Sequence, residues 1–238
     1  MAKANLVERV GSLKEQGLSF TKIGSLLNMS KDQVQKFHKR YVEESLDDQR
    51  RPTVTPSKSP EFVGVDIAYF DIETTFSNWR RMLCGSIADS LGRVTTFSHD
   101  THPGKDWLDD SELVKAYCAE LDKYDVIVGW NSKLFDVPVL NSRMLFHGFR
   151  PYEPRMHVDL MYKATGSSIA IGRKSLDNVS KYFGVENKKT PLDPRTWDDA
   201  DHGDKAAFKK IIEHCEADVL VLRDVYAKLK PMVHIMHR

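Results

Sequence analysis

Long hydrophobic runs are absent from this 238-residue sequence, and cysteine is scarce. No apolar run reaches the roughly 20 residues that a membrane-spanning helix needs, and the N-terminal MAKANLVERV lacks the apolar core of a signal peptide. The three cysteines, Cys84, Cys118 and Cys215, form no Cys-x-x-Cys pair and no recognisable zinc set. We therefore expect a cytoplasmic protein with reduced thiols and no membrane partner.

Strong net charge is also missing, since the total is only +1, but the charges are unevenly distributed. Residues 1–60 carry eleven Lys and Arg against seven Asp and Glu, whereas the remainder carries 24 against 27. A basic segment beside an acidic one fits a nucleic-acid tether next to a metal-binding domain. On charge alone, uneven scatter explains the pattern equally well.

A polar stretch divides the chain into two parts. RRPTVTPSKSPE, residues 50–61, is rich in Pro, Ser and Thr and has no apolar periodicity, which is typical of a linker. We expect a small module over 1–48, a linker over 49–61 and a larger domain over 62–238.

The small module shows the pattern of three short helices. Apolar residues recur at helical spacing, and Ser19 and Ser30 stand where N-caps are expected. The turn before Ser30 resembles that of small bacterial helix-turn-helix modules, whose last helix enters the DNA major groove. The resemblance predicts nucleic-acid contacts from the outer face of the last helix, namely Lys31, Gln33, Gln35, Lys36, Lys39 and Arg40. A three-helix bundle that binds protein is the alternative.

The larger domain alternates strand and helix patterns. Strands are predicted at 62–74, 82–88, 93–98 and 125–130, and helices at 111–124, 134–147, 174–183 and 204–230. An order in which antiparallel strands come first and β-α units follow predicts an α/β domain with a mixed sheet flanked by helices.

Two carboxylates lie on one face of the first predicted strand. Because side chains alternate along a strand, Asp71 and Glu73 share a face with the apolar Ile67 and Tyr69. Burying two neighbouring carboxylates is costly. They therefore need a basic partner, a raised pKa or a metal ion.

The last predicted helix adds an acid and a histidine. Asp218 falls within the apolar stripe of that helix, and His214 lies one turn earlier. Taken alone, such a pair is more often structural than catalytic. A further acid, Asp136, stands at a predicted helix start, where a carboxylate is a common feature without chemical function.

Together these residues resemble the three motifs of the DEDD exonuclease superfamily. FDIETT, VGWNSKLFDVPVL and HCEADVLVLRDVY are most similar to the 3′→5′ exonuclease domains of family B DNA polymerases and their stand-alone relatives, over about residues 62–230. The resemblance implies an RNase H-like fold preceded by a small all-α domain. It also implies four carboxylates that hold two Mg²⁺ or Mn²⁺ ions, namely Asp71, Glu73, Asp136 and Asp218.

The third motif departs from the family pattern. Relatives carry Tyr-x-x-x-Asp or His-x-x-x-x-Asp, whereas this sequence has His214-x-x-x-Asp218, a histidine at the spacing of the tyrosine. His214 is either a general base for the attacking water or a group that only orients it. The resemblance further implies residues that contact the 3′ end of the substrate or shape its path, namely Thr74, Phe76, Asn131 and Phe135.

The activity that the resemblance implies is a metal-dependent 3′→5′ exonuclease, with DNA favoured over RNA. Because the sequence has no polymerase region, we expect either a stand-alone enzyme or a proofreading subunit that acts with a polymerase or replication partner in trans. An RNase or a structure-specific endonuclease of the same fold is one alternative, and a non-catalytic DNA-binding regulator is another. The combination of modules is phage-like.

Overall fold

The computed structural model describes residues 3–49, 64–154, 156–166, 169–188 and 190–233. The chain divides into two compact units at the boundary between residues 55 and 56. The predicted linker, 49–61, lies outside the described residues except for Gln49, which belongs to a helix.

The described part of the N-terminal unit consists of three helices around a small apolar core. They are α1 (Lys3–Glu15), α2 (Phe20–Leu27) and α3 (Lys31–Gln49). Each helix contributes a fully buried side chain to the centre of this core, namely Val10, Ile23 and Val34. Half-buried neighbours pack around these three and enlarge the apolar area that the unit removes from water.

Two serines fix where the second and third helices begin. Ser19 Oγ accepts a hydrogen bond from the Lys22 backbone N–H at 3.3 Å. Ser30 and Gln33 form a capping box, in which the Gln33 N–H donates to Ser30 Oγ at 3.2 Å and the Ser30 N–H donates to Gln33 Oε1 at 2.9 Å. Both predicted N-caps are confirmed, while the helix-turn-helix assignment stays a prediction.

The described part of the C-terminal unit is built on a mixed five-stranded sheet in the order β3-β2-β1-β4-β5. The strands are β1 (Ile67–Thr74), β2 (Met82–Ala88), β3 (Val94–Ser98), β4 (Val126–Gly129) and β5 (His157–Asp159). β1, β2 and β3 pair antiparallel, whereas β4 pairs parallel with β1 and with β5. The predicted α/β class and its mixed sheet are confirmed.

The first strand begins later than the predicted start at residue 62. Gly64 has a φ of +84°, which lies outside the strand region of backbone conformations. In addition, β4 offers parallel partners to β1 only from Ile67 onward. Residues 64–66 therefore precede the strand, and residues 62 and 63 of the predicted strand lie outside the described residues.

The helices of this unit lie along both faces of the sheet. They are α4 (Ser111–Leu121), α5 (Asp136–Phe146), α6 (Leu160–Ala164), α7 (Leu176–Phe183), α8 (Arg195–Asp201) and α9 (Lys205–Val233). The four predicted helices are confirmed with small shifts of their ends, whereas the short α6 and α8 are not indicated by the sequence pattern. Across the described residues, no helix combines the length and apolarity needed to cross a bilayer.

The two faces of β1 bury different cores. Ile67 and Tyr69 pack with apolar residues of α7 and α9 on one face. Phe70 and Ile72 pack with residues of α4 and α5 on the other. Because side chains alternate along the strand, the acidic residues of β1 continue the face that α9 covers.

A buried ion cluster ties α5 to the sheet. Arg143 Nη2 on α5 donates to Asp110 Oδ1 at 2.5 Å, and His147 Nε2 lies 2.6 Å from the same oxygen. Asp110 Oδ2 accepts a hydrogen bond from the Met82 N–H at 2.8 Å. Burial alone would raise the pKa of Asp110, but the hydrogen bonds from Arg143 and His147 hold the pKa below its usual value. The cluster thereby fixes the position of α5 against β2.

Candidate active site

The two acidic residues of β1 lie where the sheet faces α9. Asp71 and Glu73 are partly exposed, whereas the other residues of the strand are buried. The Asp71 carbonyl oxygen accepts a hydrogen bond from the Tyr117 hydroxyl at 2.9 Å, which holds the backbone of the strand. Cys215 Sγ on α9 lies 3.6 Å from Asp71 Oδ2. The strand therefore presents both carboxylates to α9.

Asp136 reaches β1 from the edge of the strand. β4 pairs with β1 only as far as Tyr69, so the edge of β1 beyond that residue is open to a side chain. Asp136, the first residue of α5, occupies this edge, where its Oδ1 accepts a hydrogen bond from the Ile72 N–H at 3.2 Å. Since Ile72 stands between Asp71 and Glu73, Asp136 contacts β1 between the two acidic residues of the strand.

Burial and neighbouring charge make Asp136 hard to ionise. The residue is only 3 % exposed, and burial, opposed in part by backbone hydrogen bonds, raises its pKa from 3.8 to about 7. The negative charges of Glu73 and Asp159 add to the rise in pKa. A positive charge bound nearby would return this carboxyl group to its ionised form.

The loop that leads into α5 is held by Asp159 at the end of β5. The Asp159 carboxylate accepts hydrogen bonds from the backbone N–H groups of Asn131 and Lys133, both at 3.0 Å. Ser132 Oγ and His157 Nε2 lie 2.9 Å apart beside them. Asn131 adopts the left-handed conformation with a φ of 58°. These contacts fix the turn that precedes the first residue of α5.

A buried histidine and a buried acid lie one turn apart on α9. His214 is 4 % exposed and Asp218 is 3 % exposed. His214 Nε2 lies 3.8 Å from Asp218 Oδ2 and 3.8 Å from Glu73 Oε1. The histidine therefore stands between an acid of its own helix and an acid of β1. The five residues predicted to be catalytic thus lie on β1, at the contact of α5 with β1, and on the stretch of α9 that packs against β1.

Trp197 contacts two of these residues, Glu73 and His214, although it belongs to none of the sequence motifs. Its Nε1–H donates a hydrogen bond to Glu73 Oε2 at 2.8 Å. Its ring stands edge-on to that of His214, with centroids 5.7 Å apart. Trp197 lies on the short helix α8, whose seven residues carry no periodic pattern that would point to the site.

The residues expected to contact the substrate have different environments. Thr74 is 5 % exposed and its hydroxyl donates to a neighbouring backbone carbonyl, so this side chain is not open to a substrate. Phe76 is 62 % exposed. The Phe135 ring is half-buried, with the Arg80 guanidinium 5.1 Å from its centre, and Asn131 is half-buried. Among these residues, Phe76 is the best placed for contact with a ligand.

The residues predicted to contact nucleic acid from α3 lie in the N-terminal unit. Exposed side chains there are Lys31, Gln33, Gln35, Lys36 and Lys39, and Arg40 is half-buried. Gln33 is engaged in the capping box, and Lys39 Nζ lies 3.9 Å from Glu43 Oε1. Lys31, Gln35 and Lys36 are exposed along the same helix.

Four carboxylates are a donor set that fits hard divalent cations, which prefer oxygen ligands. The raised pKa of Asp136 also fits a cation site, because the group lacks enough positive charge around it to ionise readily. Within the described ranges, no three His, Cys, Asp or Glu side chains stand close enough to hold an ion as they are. Ion binding would therefore require the side chains to move towards one another.

Comparison with known proteins places the region from β1 to α9 in a family. The sequence matches the profile of the RNase H superfamily over residues 68–230. A DNA polymerase of Methanocaldococcus jannaschii is 28% identical over 123 residues, which are 42% of this chain and 8% of that protein. The chain therefore spans a small part of that polymerase.

A solved structure shows the same fold. The structure of the family B DNA polymerase from the hyperthermophilic archaeon Pyrobaculum calidifontis matches with a TM-score of 0.58 and 23% identity, over 71% of this chain and 25% of that chain. The predicted RNase H-like fold is confirmed, and the chain is similar to a DNA polymerase in sequence and to a family B DNA polymerase in fold. All five residues predicted to be catalytic lie within the region that the family profile matches, and the chain belongs to the RNase H superfamily.

Proposed function

We propose that the C-terminal unit is a divalent-metal-dependent 3′→5′ exonuclease that hydrolyses phosphodiester bonds of DNA. The observation that carries the proposal is that His214 Nε2 lies 3.8 Å from acids of two elements, Glu73 and Asp218, while Asp136 contacts the same strand at Ile72. Asp71 and Glu73 come from β1, Asp136 comes from α5, and Asp218 comes from α9 beside His214. Membership of a superfamily of nucleases supports nucleic acid as the substrate.

The four carboxylates have the role of cation ligands in this proposal. Asp71, Glu73, Asp136 and Asp218 would hold two Mg²⁺ or Mn²⁺ ions. Such ions, when bound, lower the pKa of a water molecule and offset negative charge on the phosphodiester. Asp136, whose pKa is raised by burial and then by its acidic neighbours, must lose its proton to act as a ligand.

In this proposal His214 activates or orients the attacking water. Its Nε2 has a carboxylate oxygen at 3.8 Å on β1 and another at 3.8 Å on α9. As a general base, the ring would take the proton of the water, and the two acids would stabilise the resulting cation. As an orienting group, it would hold the water without changing its own protonation. The dependence of the cleavage rate on pH distinguishes the two roles.

The direct test is cleavage of single-stranded DNA and RNA of one sequence, each labelled at the 5′ end, with Mg²⁺, Mn²⁺ or EDTA. We expect a ladder of DNA products that keep the label and shorten by one nucleotide at a time. EDTA should abolish the ladder, since the four carboxylates alone supply no Lewis acid. Products that appear without intermediate lengths would instead indicate an endonuclease.

Other outcomes of the same assay separate the alternatives. Cleavage of RNA alone would make the protein an RNase of the same fold. If neither the DNA nor the RNA is cleaved although the protein binds Mn²⁺, the result would favour the non-catalytic regulator. The similarity to DNA polymerases supports DNA as the substrate and a replication protein as the partner in trans.

The N-terminal unit has the role of a nucleic-acid tether. We expect removal of residues 1–48 to lower the affinity for DNA about tenfold and to flatten its dependence on salt, because fewer phosphates are then neutralised. Binding is measured by fluorescence anisotropy between low and moderate salt, beside a full-length variant in which Lys31, Lys36 and Lys39 are replaced by Gln. Equal affinity and an equal salt slope in all three proteins would refute the tether.

A further inference from the structure

Trp197 contacts three residues of the candidate site. In addition to its hydrogen bond to Glu73 Oε2 at 2.8 Å, its ring is edge-on to His214 at an interplanar angle of 88°. Its other contact is with the exposed Phe76 ring, at a centroid distance of 5.8 Å. A hydrogen bond from a neutral N–H to a carboxylate is charge-assisted and therefore both stronger and more directional than the ring contacts.

The helix that carries Trp197 is anchored by buried contacts at its other end. Asp201, the last residue of α8, accepts hydrogen bonds on its carboxylate from Arg81 and on its carbonyl oxygen from Trp107 Nε1–H, the latter at 3.0 Å. Arg81 is 6 % exposed and also donates to the Trp107 carbonyl oxygen at 2.8 Å. Because α8 has only seven residues, an anchor at Asp201 also restricts the position of Trp197.

We propose that Trp197 is a positioning residue for Glu73. The indole N–H holds Glu73 Oε2, and a divalent cation would be bound through Oε1, which lies 3.8 Å from His214 Nε2. The proposal rests on the proposed function, in which Glu73 is a cation ligand. A glutamate side chain has several rotatable bonds, so a fixed carboxylate avoids an entropic cost on binding an ion.

Packing alone does not account for the arrangement. A phenylalanine ring at position 197 would fill much of the space against His214 and Phe76, but it has no N–H to donate. A purely structural tryptophan therefore predicts that Trp197→Phe mainly affects stability. A positioning tryptophan predicts that the same change mainly affects how Glu73 binds a cation.

The test compares Trp197→Phe with Trp130→Phe and the wild type. Trp130 Nε1–H donates to the Lys174 carbonyl oxygen at 3.0 Å, so the control loses the same kind of donor without losing a contact to a carboxylate. Mn²⁺ binding to the full chain without nucleic acid is measured by calorimetry, and thermal unfolding is measured in EDTA. We expect the Kd for Mn²⁺ to rise about 10- to 100-fold in Trp197→Phe and less than about twofold in Trp130→Phe.

Cleavage kinetics give a second readout that a structural role would not change. In Trp197→Phe we expect a lower kcat at a fixed, limiting Mn²⁺ concentration, an unchanged KM for DNA, and recovery of the rate when Mn²⁺ is raised. Unchanged Mn²⁺ affinity, or a lower unfolding midpoint with no change in affinity, would overturn the positioning role and leave the exonuclease proposal intact. A wild type that cleaves DNA without binding Mn²⁺ would overturn both.

Discussion

Replacing Asp71 by asparagine is expected to reduce metal-dependent DNA cleavage by about a thousandfold or more, which corresponds to roughly 4 kcal/mol of transition-state stabilisation. Asparagine keeps the size of the side chain and one acceptor oxygen, but it lacks the negative charge that offsets the charge of a divalent cation. The hydrogen bond from Tyr117 to the backbone carbonyl of residue 71 does not depend on the side chain. The strand should therefore keep its place in the sheet.

The measurement is the initial rate of shortening of a 5′-labelled DNA strand in Mn²⁺, with Asp218→Asn as the second variant. Asp100→Asn is the matched control, because Asp100 is exposed on the turn that follows β3. The control should retain the wild-type rate, and all variants should retain the wild-type circular dichroism spectrum. A wild-type rate in Asp71→Asn would remove Asp71 from the catalytic group.

Spacing within one element is the part of the site that the sequence predicts well. Asp71 and Glu73 share a face because strand side chains alternate, and the structure has both on the face that α9 covers. His214 and Asp218 are four residues apart, so one turn of α9 brings them within 3.8 Å. Both spacings lie within one element, so they can be predicted without knowing the order of the strands in the sheet.

Contacts between distant elements are the part that the sequence does not reveal. In the sequence, Asp136 is an ordinary acid at a helix start. It can accept a hydrogen bond from the edge of β1 because β4 stops pairing with β1 at Tyr69. Trp197 and Glu73 are far apart in the chain and meet only because Asp201 anchors α8. No local periodicity encodes either arrangement.

Asparagine at position 136 is expected to stabilise the protein in EDTA above pH 7 while abolishing its metal-dependent cleavage. Burial, and then the charges of Glu73 and Asp159, raise the pKa of Asp136 from 3.8 to about 7 in the folded protein. The folded state therefore keeps a proton that the unfolded chain loses near pH 4. Between about pH 4 and pH 7, rising pH must then weaken the folded state, because the unfolded chain alone is free to ionise.

The Asp136→Asn variant has no such proton, so its stability should not fall between pH 4 and pH 7 for this reason. Its amide oxygen can still accept the hydrogen bond from the Ile72 N–H, which the wild type makes at 3.2 Å. Unfolding curves in EDTA should coincide most closely near pH 4 and separate as the pH rises. Above pH 7 the variant should be more stable by on the order of 4 kcal/mol, or roughly 10 °C in the unfolding midpoint.

Divalent cations should reduce this difference in stability. Ions that bind only the folded protein add stability according to their concentration relative to Kd, and Asp136 contributes a ligand charge only in the wild type. With Mn²⁺ above its Kd, the wild type should gain more in its unfolding midpoint than Asp136→Asn does. Equal pH profiles of the two proteins in EDTA would contradict a raised pKa at Asp136. An equal gain with Mn²⁺ would contradict its role as a ligand, so the raised pKa and the ligand role are tested separately.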